Sequence, residues 1–74
     1  MLGLQYTQKA LDHWREWLPK MYKEMKADGT LNQRAQDASK EAARQVAELM
    51  EAGAHQHEAE EIVLPELILL PAER

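Results

Sequence analysis

Apolar residues recur along the first part of the chain at alternating spacings of three and four. The recurring positions are Leu11, Trp14, Leu18, Met21 and Met25. This spacing predicts an amphipathic helix over roughly residues 7–27, with Thr7 as its N-cap. The pair Asp28-Gly29 is expected to end the helix, because glycine readily adopts the left-handed conformation found just past a helix C-terminus.

Pro19 lies inside this predicted helix. A proline in a helix removes one backbone donor, and its ring clashes with the carbonyl four residues earlier, here that of Arg15. We therefore expect a kink or a break near Leu18. The apolar positions keep their phase across the proline, so we prefer one kinked helix to two separate helices.

A second helix is predicted after the glycine. The stretch Thr30-Leu31-Asn32-Gln33 matches the Thr-x-x-Gln capping box that begins many helices. Gly53 is expected to close the helix. Its apolar stripe consists of Leu31, Ala35, Ala38, Ala42, Val46 and Leu49. Because alanine dominates this stripe, the second helix can lie close against the bulkier first helix.

A third and shorter helix is predicted near the C-terminus. Glu58, Glu60 and Glu61 fall in its first turn, where negative charge complements the helix dipole. Pro65 is expected to interrupt or kink it, and residues 66–70 to form a final turn or an extended tail. The expected buried side consists of Ala59, Ile62 and Val63.

The predicted fold class is therefore all-α. We expect a single small domain over residues 1–74, built as a hairpin of two long helices. The first is kinked or broken at Pro19, and the shorter C-terminal helix packs across the hairpin. Residues 1–6 and 71–74 are expected to be flexible ends.

Composition narrows the possible classes of protein. The 74 residues include no cysteine and carry a net charge of −4, so disulfides and thiolate metal sites are excluded. The acidity is concentrated after residue 54, and such a tail repels phosphate backbones. We find no secretory signal and no apolar run long enough for a membrane span, which predicts a cytoplasmic location.

The candidate chemistry is sparse. His55 and His57 are suitable metal-ligand types, but on a helix this spacing points the two rings apart, so we interpret the pair as part of a polar loop. His13 is expected at the surface, and the C-terminal glutamates are expected to form a solvated face. There is no phosphate-binding loop and no nucleophile with a base. The sequence predicts no enzyme, no catalytic residue, no metal, no cofactor and no small-molecule substrate.

Two apolar features predict a protein partner. Trp17 lies beside the apolar stripe near the expected kink, where it either anchors an interface or covers the chain's own core. Residues 62–70 carry more apolar side chains than one side of a short helix can bury. A second copy of the chain, giving a homodimer, or another protein is expected to cover part of them. The predicted partner-binding residues are Trp17, Met21, Tyr22, Leu64, Leu67 and Ile68.

The alternative hypothesis is a small nucleic-acid-binding regulator. The basic residues of the first two predicted helices are Lys9, Arg15, Lys20, Lys23, Lys26, Arg34, Lys40 and Arg44. Acidic residues alternate with them. This pattern is typical of charge pairs on solvated helices and not of an uncompensated basic stripe. Nucleic acid is therefore the less favoured partner.

Two segments resemble a known family. Residues 11–31, LDHWREWLPKMYKEMKADGTL, are similar to the segment of TnpV-like transposon-encoded proteins in which a helix runs through a proline and a tyrosine to a Gly-x-Leu turn. Residues 59–68, AEEIVLPELI, resemble that family's closing Glu-Ile-Val stretch. The resemblance implies a small accessory protein of a mobile element or prophage, and it carries over no catalytic residue.

Overall fold

The computed structural model describes residues 4–72, and all regular structure in that range is helical. The helices are α1 (Thr7–Trp17), α2 (Pro19–Asp28), α3 (Leu31–Glu51) and α4 (Gln56–Leu67). The long helix α3 contacts each of the other three. The all-α prediction is confirmed. None of these four helices combines the length and the apolar character needed to cross a membrane.

The predicted first helix is broken at Pro19 into α1 and α2, so the preference for one kinked helix is wrong. Leu18 leaves the helical conformation, with φ −131° and ψ 56°, because a proline ring disfavours the α conformation of the preceding residue. Pro19 then begins α2, at a position where no backbone donor is needed. The break is short, since Leu18 still donates to the Trp14 carbonyl and accepts from the Tyr22 amide, both at 2.9 Å.

The start of α1 differs from the prediction. Tyr6, not Thr7, is the N-cap residue, and no side chain caps the helix. The Tyr6 backbone N–H donates to Ser39 Oγ of α3 at 3.0 Å, and the Tyr6 side chain is buried. Of the predicted flexible ends, residues 1–3 and 73–74 lie outside the described residues, whereas Tyr6 belongs to the core.

The turn between α2 and α3 contains no capping box. The Thr30 hydroxyl donates to Asp28 Oδ1 at 2.6 Å, and the Gln33 amide donates to Asp37 at 2.8 Å. The bonds from Thr30 lower the pKa of the Asp28 carboxyl. Gly29 adopts the left-handed conformation, with φ 81°, as predicted for the end of a helix.

Small residues let the helices approach closely in the core. The α3 stripe lies inward as predicted, with Leu31, Ala35, Ala42 and Val46 buried. Ser39 on the same helix is also fully buried, although it is not part of the predicted apolar stripe. Ala10 of α1 and Ala59 of α4 are also fully buried. Bulk enters the core chiefly from the N-terminal third, where Tyr6, Trp14, Leu18 and Met25 are buried.

Pro65 lies within α4 and does not interrupt it, since the helix continues to Leu67. The buried side of α4 comprises Ala59, Val63 and Leu64. Ile62 was expected on that side but is 57% exposed. Ala59 and Val63 lie four residues apart and share the buried face of α4, whereas the Ile62 side chain lies mostly in solvent.

The segment after α4 turns back onto the fold. The Ile68 and Leu69 amides both donate to the Leu64 carbonyl, at 2.8 and 2.6 Å. The Trp14 indole N–H then donates to the Ile68 carbonyl at 2.9 Å. These bonds fix residues 68–70 against α1 and supply the core with a further apolar side chain, that of Ile68.

Candidate partner-binding surface

The predicted partner-binding residues separate into exposed and buried positions. Trp17 ends α1 with half of its surface, 50%, exposed to solvent. Met21 and Tyr22 of α2 and Leu67 of α4 are partly buried and pack against the core. These four side chains keep some surface that a partner can contact.

Leu64 and Ile68 do not lie at the surface. Their side chains are 4% and 0% exposed, inside the chain's own core. The excess of apolar side chains in residues 62–70 predicts that a partner covers part of them, but the chain turns after Leu67 and buries Ile68 itself. The surplus of apolar residues that suggested a partner is thus covered to a large extent by the chain itself.

Trp17 is connected through His13 and Leu70 to an open cavity. Its ring is 6.4 Å from the His13 ring, measured between centroids, and His13 Nε2 donates to the Leu70 carbonyl at 2.8 Å. Leu70 in turn lines a cavity of about 280 Å³, whose other apolar walls are Trp14, Met21, Met25 and Ala38. We define the Trp17 surface as Trp17, Met21 and this cavity. His13, expected at the surface, is partly buried and joins α1 to the C-terminal segment.

Two opposite charges border the cavity. Arg34 and Asp37 of α3 contribute polar groups to its lining, and both residues are exposed or partly exposed. The alternation of basic and acidic residues along the sequence predicts a solvated charged face for this helix. A signal was present, because Arg34 and Ala38 are four residues apart and thus share a face that borders the buried stripe. That signal did not indicate that α2 and Leu70 would enclose a cavity beside them.

A second polar constellation joins the start of α1 to α4. The Tyr6 hydroxyl donates to Glu60 Oε2 at 2.6 Å. Burial, followed by this bond and by the negative charge of Glu60, raises the pKa of the Tyr6 phenol to about 12 from its ordinary value of 10.0. Glu60 is therefore engaged in the fold, and not part of a purely solvated acidic face as expected.

This pKa predicts a loss of stability in alkali. The folded protein holds the Tyr6 proton more tightly than the unfolded chain, so the contribution is complete below about pH 10 and is lost as the pH rises through about 12. Loss of this contribution should lower the free energy of unfolding by about 2–3 kcal/mol. Denaturant unfolding at a series of pH values measures the decline.

Tyr6→Phe should flatten this decline, and Tyr22→Phe, which removes the chain's other phenol, should leave it unchanged. A slope between pH 10 and 12 that is equally steep in Tyr6→Phe and in the wild type would show that another group causes the decline.

The remaining strong charge interactions pair residues within a helix. Arg44 donates to both Glu41 and Glu48 on α3. Together with a bond from Gln45, the Arg44 bonds lower the pKa of the Glu41 carboxyl to about 2. On α1, Arg15 lies 3.9 Å from Asp12. These cations face their own acids, as the spacing of charges along the sequence indicates.

The histidine pair lies where α4 begins. His55 is the extended N-cap residue of α4, and its ring stacks on that of His57 with centroids 6.1 Å apart. His57, Lys9 and Glu61 also border a second cavity of about 380 Å³. Within residues 4–72, no three histidine, cysteine, aspartate or glutamate side chains are placed to hold a metal ion.

Comparison of the chain with protein-family models, with curated proteins and with solved structures finds no match. The similarity to TnpV-like proteins therefore stays a prediction from residues 11–31 and 59–68. The interpretation of this protein rests on the geometry around Trp17.

Proposed function

We propose that this chain is a non-enzymatic interaction protein that binds a protein partner through the Trp17 surface. The observation that carries the proposal is a half-exposed tryptophan that His13 and Leu70 connect to a largely apolar cavity. Tryptophan is enriched among the residues that dominate binding energy at interfaces, particularly next to well-packed pockets. We also propose that the protein comes from a mobile element, and the resemblance of two segments to TnpV-like proteins supports this origin.

The titratable groups also support a role in binding and not in catalysis. The pKa is shifted from its ordinary value in Tyr6, Asp28, Glu41 and Arg44. Burial or hydrogen bonds within the fold account for each of them. Active sites commonly contain shifted groups that face a cleft, poised for proton transfer. None of these four residues lines either of the two cavities described above, although Glu60, which accepts the bond from Tyr6, lines the second.

The charge arrangement favours a protein partner over nucleic acid. The chain carries a net charge of −4, and Arg15 and Arg44 each lie against acids of their own helix. A nucleic-acid regulator would need a basic patch that neutralises several phosphates. A salt-dependent mobility shift of labelled duplex or single-stranded DNA would reverse this preference.

We expect Trp17→Ala to weaken association and to leave the fold intact. About half of the indole is already in water, so the free energy of unfolding should fall by no more than about 1 kcal/mol. Chemical denaturation followed by circular dichroism measures this change. Ile62→Ala, on α4, is the matched control for removing an exposed apolar side chain. A loss of several kcal/mol in Trp17→Ala would instead assign Trp17 to the core.

Cross-linking tests the proposed function in the cell. A photoreactive benzoylphenylalanine at position 17 is expected to capture a protein, whereas the same group at position 62 is not. The mass of the product distinguishes a second copy of the chain from a different protein. Equal capture at both positions, or capture at neither, would contradict the proposal.

A further inference from the structure

We infer that the partner is a second copy of this chain, paired about a twofold axis so that Trp17 of each copy enters the cavity of the other. The inference rests on the proposed function, because it uses the same Trp17 surface and names what occupies it. The surface area of the molecule, the arrangement of Trp17 and the cavity, and the charges at the cavity rim each support it.

The single chain exposes more surface than a compact monomer of its size. Its accessible surface is 5274 Å², whereas a chain of 8.5 kDa is expected to expose about 4,700 Å². The shape explains the difference, since the molecule measures 40 × 27 × 12 Å along its principal axes. The excess is about 600 Å² per copy. Two copies that bury this excess reach about 1,200 Å², the lower end of stable specific interfaces.

The arrangement of Trp17 and the cavity suits exchange between two identical copies. A twofold interface uses the same patch on both chains, so a protruding group and its receiving cavity must lie on one patch. Here Trp17 contacts His13, His13 bonds to Leu70, and Leu70 lines the cavity. Each copy therefore offers both an indole and a place for one.

The cavity walls match an indole in chemistry. Met21 and Met25 have flexible side chains that adapt to the shape of an inserted ring and make favourable sulfur–aromatic contacts. The buried Trp14 ring supplies an aromatic wall, and aromatic pairs gain energy beyond simple burial. The indole of Trp17, which is half-exposed at the end of α1, is thus a side chain that this cavity can receive.

The two charged residues at the cavity rim, Arg34 and Asp37, can pair with the same two residues of a second copy. Arg34 and Asp37 have opposite signs and lie one turn apart on α3. Neither takes part in an ion pair between the described residues, although Asp37 accepts a bond from Gln33 and the Arg34 charge contributes to the lowered pKa of Asp28. A twofold axis between the two copies of this rim places Arg34 of one copy opposite Asp37 of the other. A partner with a uniformly charged surface would not match this rim.

Light scattering across protein concentrations from about 1 μM to about 1 mM tests the inference. The wild type is expected to approach twice the 8.5 kDa mass of the chain as concentration rises. Trp17→Ala is expected to remain at the single-chain mass, and Ile62→Ala to follow the wild type. Circular dichroism verifies that each variant is folded.

Charge reversal makes the test specific to self-pairing. Arg34→Glu puts a carboxylate opposite Asp37 of the other copy, and Asp37→Arg puts a guanidinium opposite Arg34, so each variant alone should be monomeric. Mixing the two variants restores an opposite-sign contact between the copies, and the mixture should recover the dimer mass. Neither position is buried, so the substitutions leave the core intact.

Two outcomes would overturn the inference. The first is a wild type that stays at the single-chain mass throughout the concentration range. The second is a dimer whose mass is unaffected by Trp17→Ala and by charge reversal, since its interface would then lie elsewhere. A monomer whose position 17 still cross-links to a different protein would refute the self-pairing and leave the proposed function standing.

Discussion

Trp14→Ala is expected to leave the domain largely unfolded at room temperature. Trp14 is 3% exposed, and replacing a buried tryptophan by alanine costs about 3–5 kcal/mol. A core of this size rarely supplies more than about 3–5 kcal/mol in total. The expected result is a far-ultraviolet circular dichroism spectrum with little helix and without a cooperative thermal transition.

Trp14→Phe separates the hydrogen bond from the bulk of the ring. Phenylalanine retains an aromatic ring but cannot donate to the Ile68 carbonyl, and an unsatisfied buried acceptor costs about 1–3 kcal/mol. Trp17→Ala is the control for loss of an indole elsewhere on α1. A cooperative Trp14→Ala protein that loses less than about 1 kcal/mol would show that the contact with the C-terminal segment contributes little.

Ile68→Ala is expected to cost about 2–5 kcal/mol, the range for removing a fully buried isoleucine side chain. Ile62→Ala removes the same atoms from a side chain that is 57% exposed, and its cost should stay within about 1 kcal/mol. Denaturant midpoints of the two variants, compared at one pH, measure the difference.

This pair of isoleucines tests how the C-terminal segment is used. If residues 68–70 form part of the fold, the two variants differ by several-fold in destabilisation. If that segment instead forms a surface for a partner, both variants will be nearly as stable as the wild type. Equal midpoints would therefore restore the sequence prediction that placed Ile68 at a binding surface.

The C-terminal segment also determines which surface remains for a partner. Residues 68–70 cover Trp14 and supply Leu70 to the cavity wall. The apolar pattern of the sequence alone predicts contact residues near both ends of the chain. With residues 68–70 in place, Leu64 and Ile68 are buried, and the large apolar side chains left exposed among residues 4–72 are Trp17, Met50 and Ile62. The proposed exchange between two copies uses Trp17.

The local pattern of the sequence determined the helices. Apolar spacings of three and four predicted the inward positions Trp14, Leu18 and Met25, which are all buried. Gly29 ends its helix in the left-handed conformation as predicted. These features depend on the steric preferences of neighbouring residues, and those preferences can be identified from a short stretch of sequence.

The tertiary structure decided which residues meet across the chain. The Tyr6 amide reaches Ser39, 33 positions away, and the Trp14 indole reaches Ile68, 54 positions away. The spacing of apolar residues within one helix does not predict such pairings, because they depend on how separate helices pack and on where the chain turns after α4. For the same reason the sequence predicted an exposed Leu64 and Ile68 and a buried Ile62. Only the packed helices show that Trp14 is buried and lines the cavity, whereas Trp17 is left half-exposed.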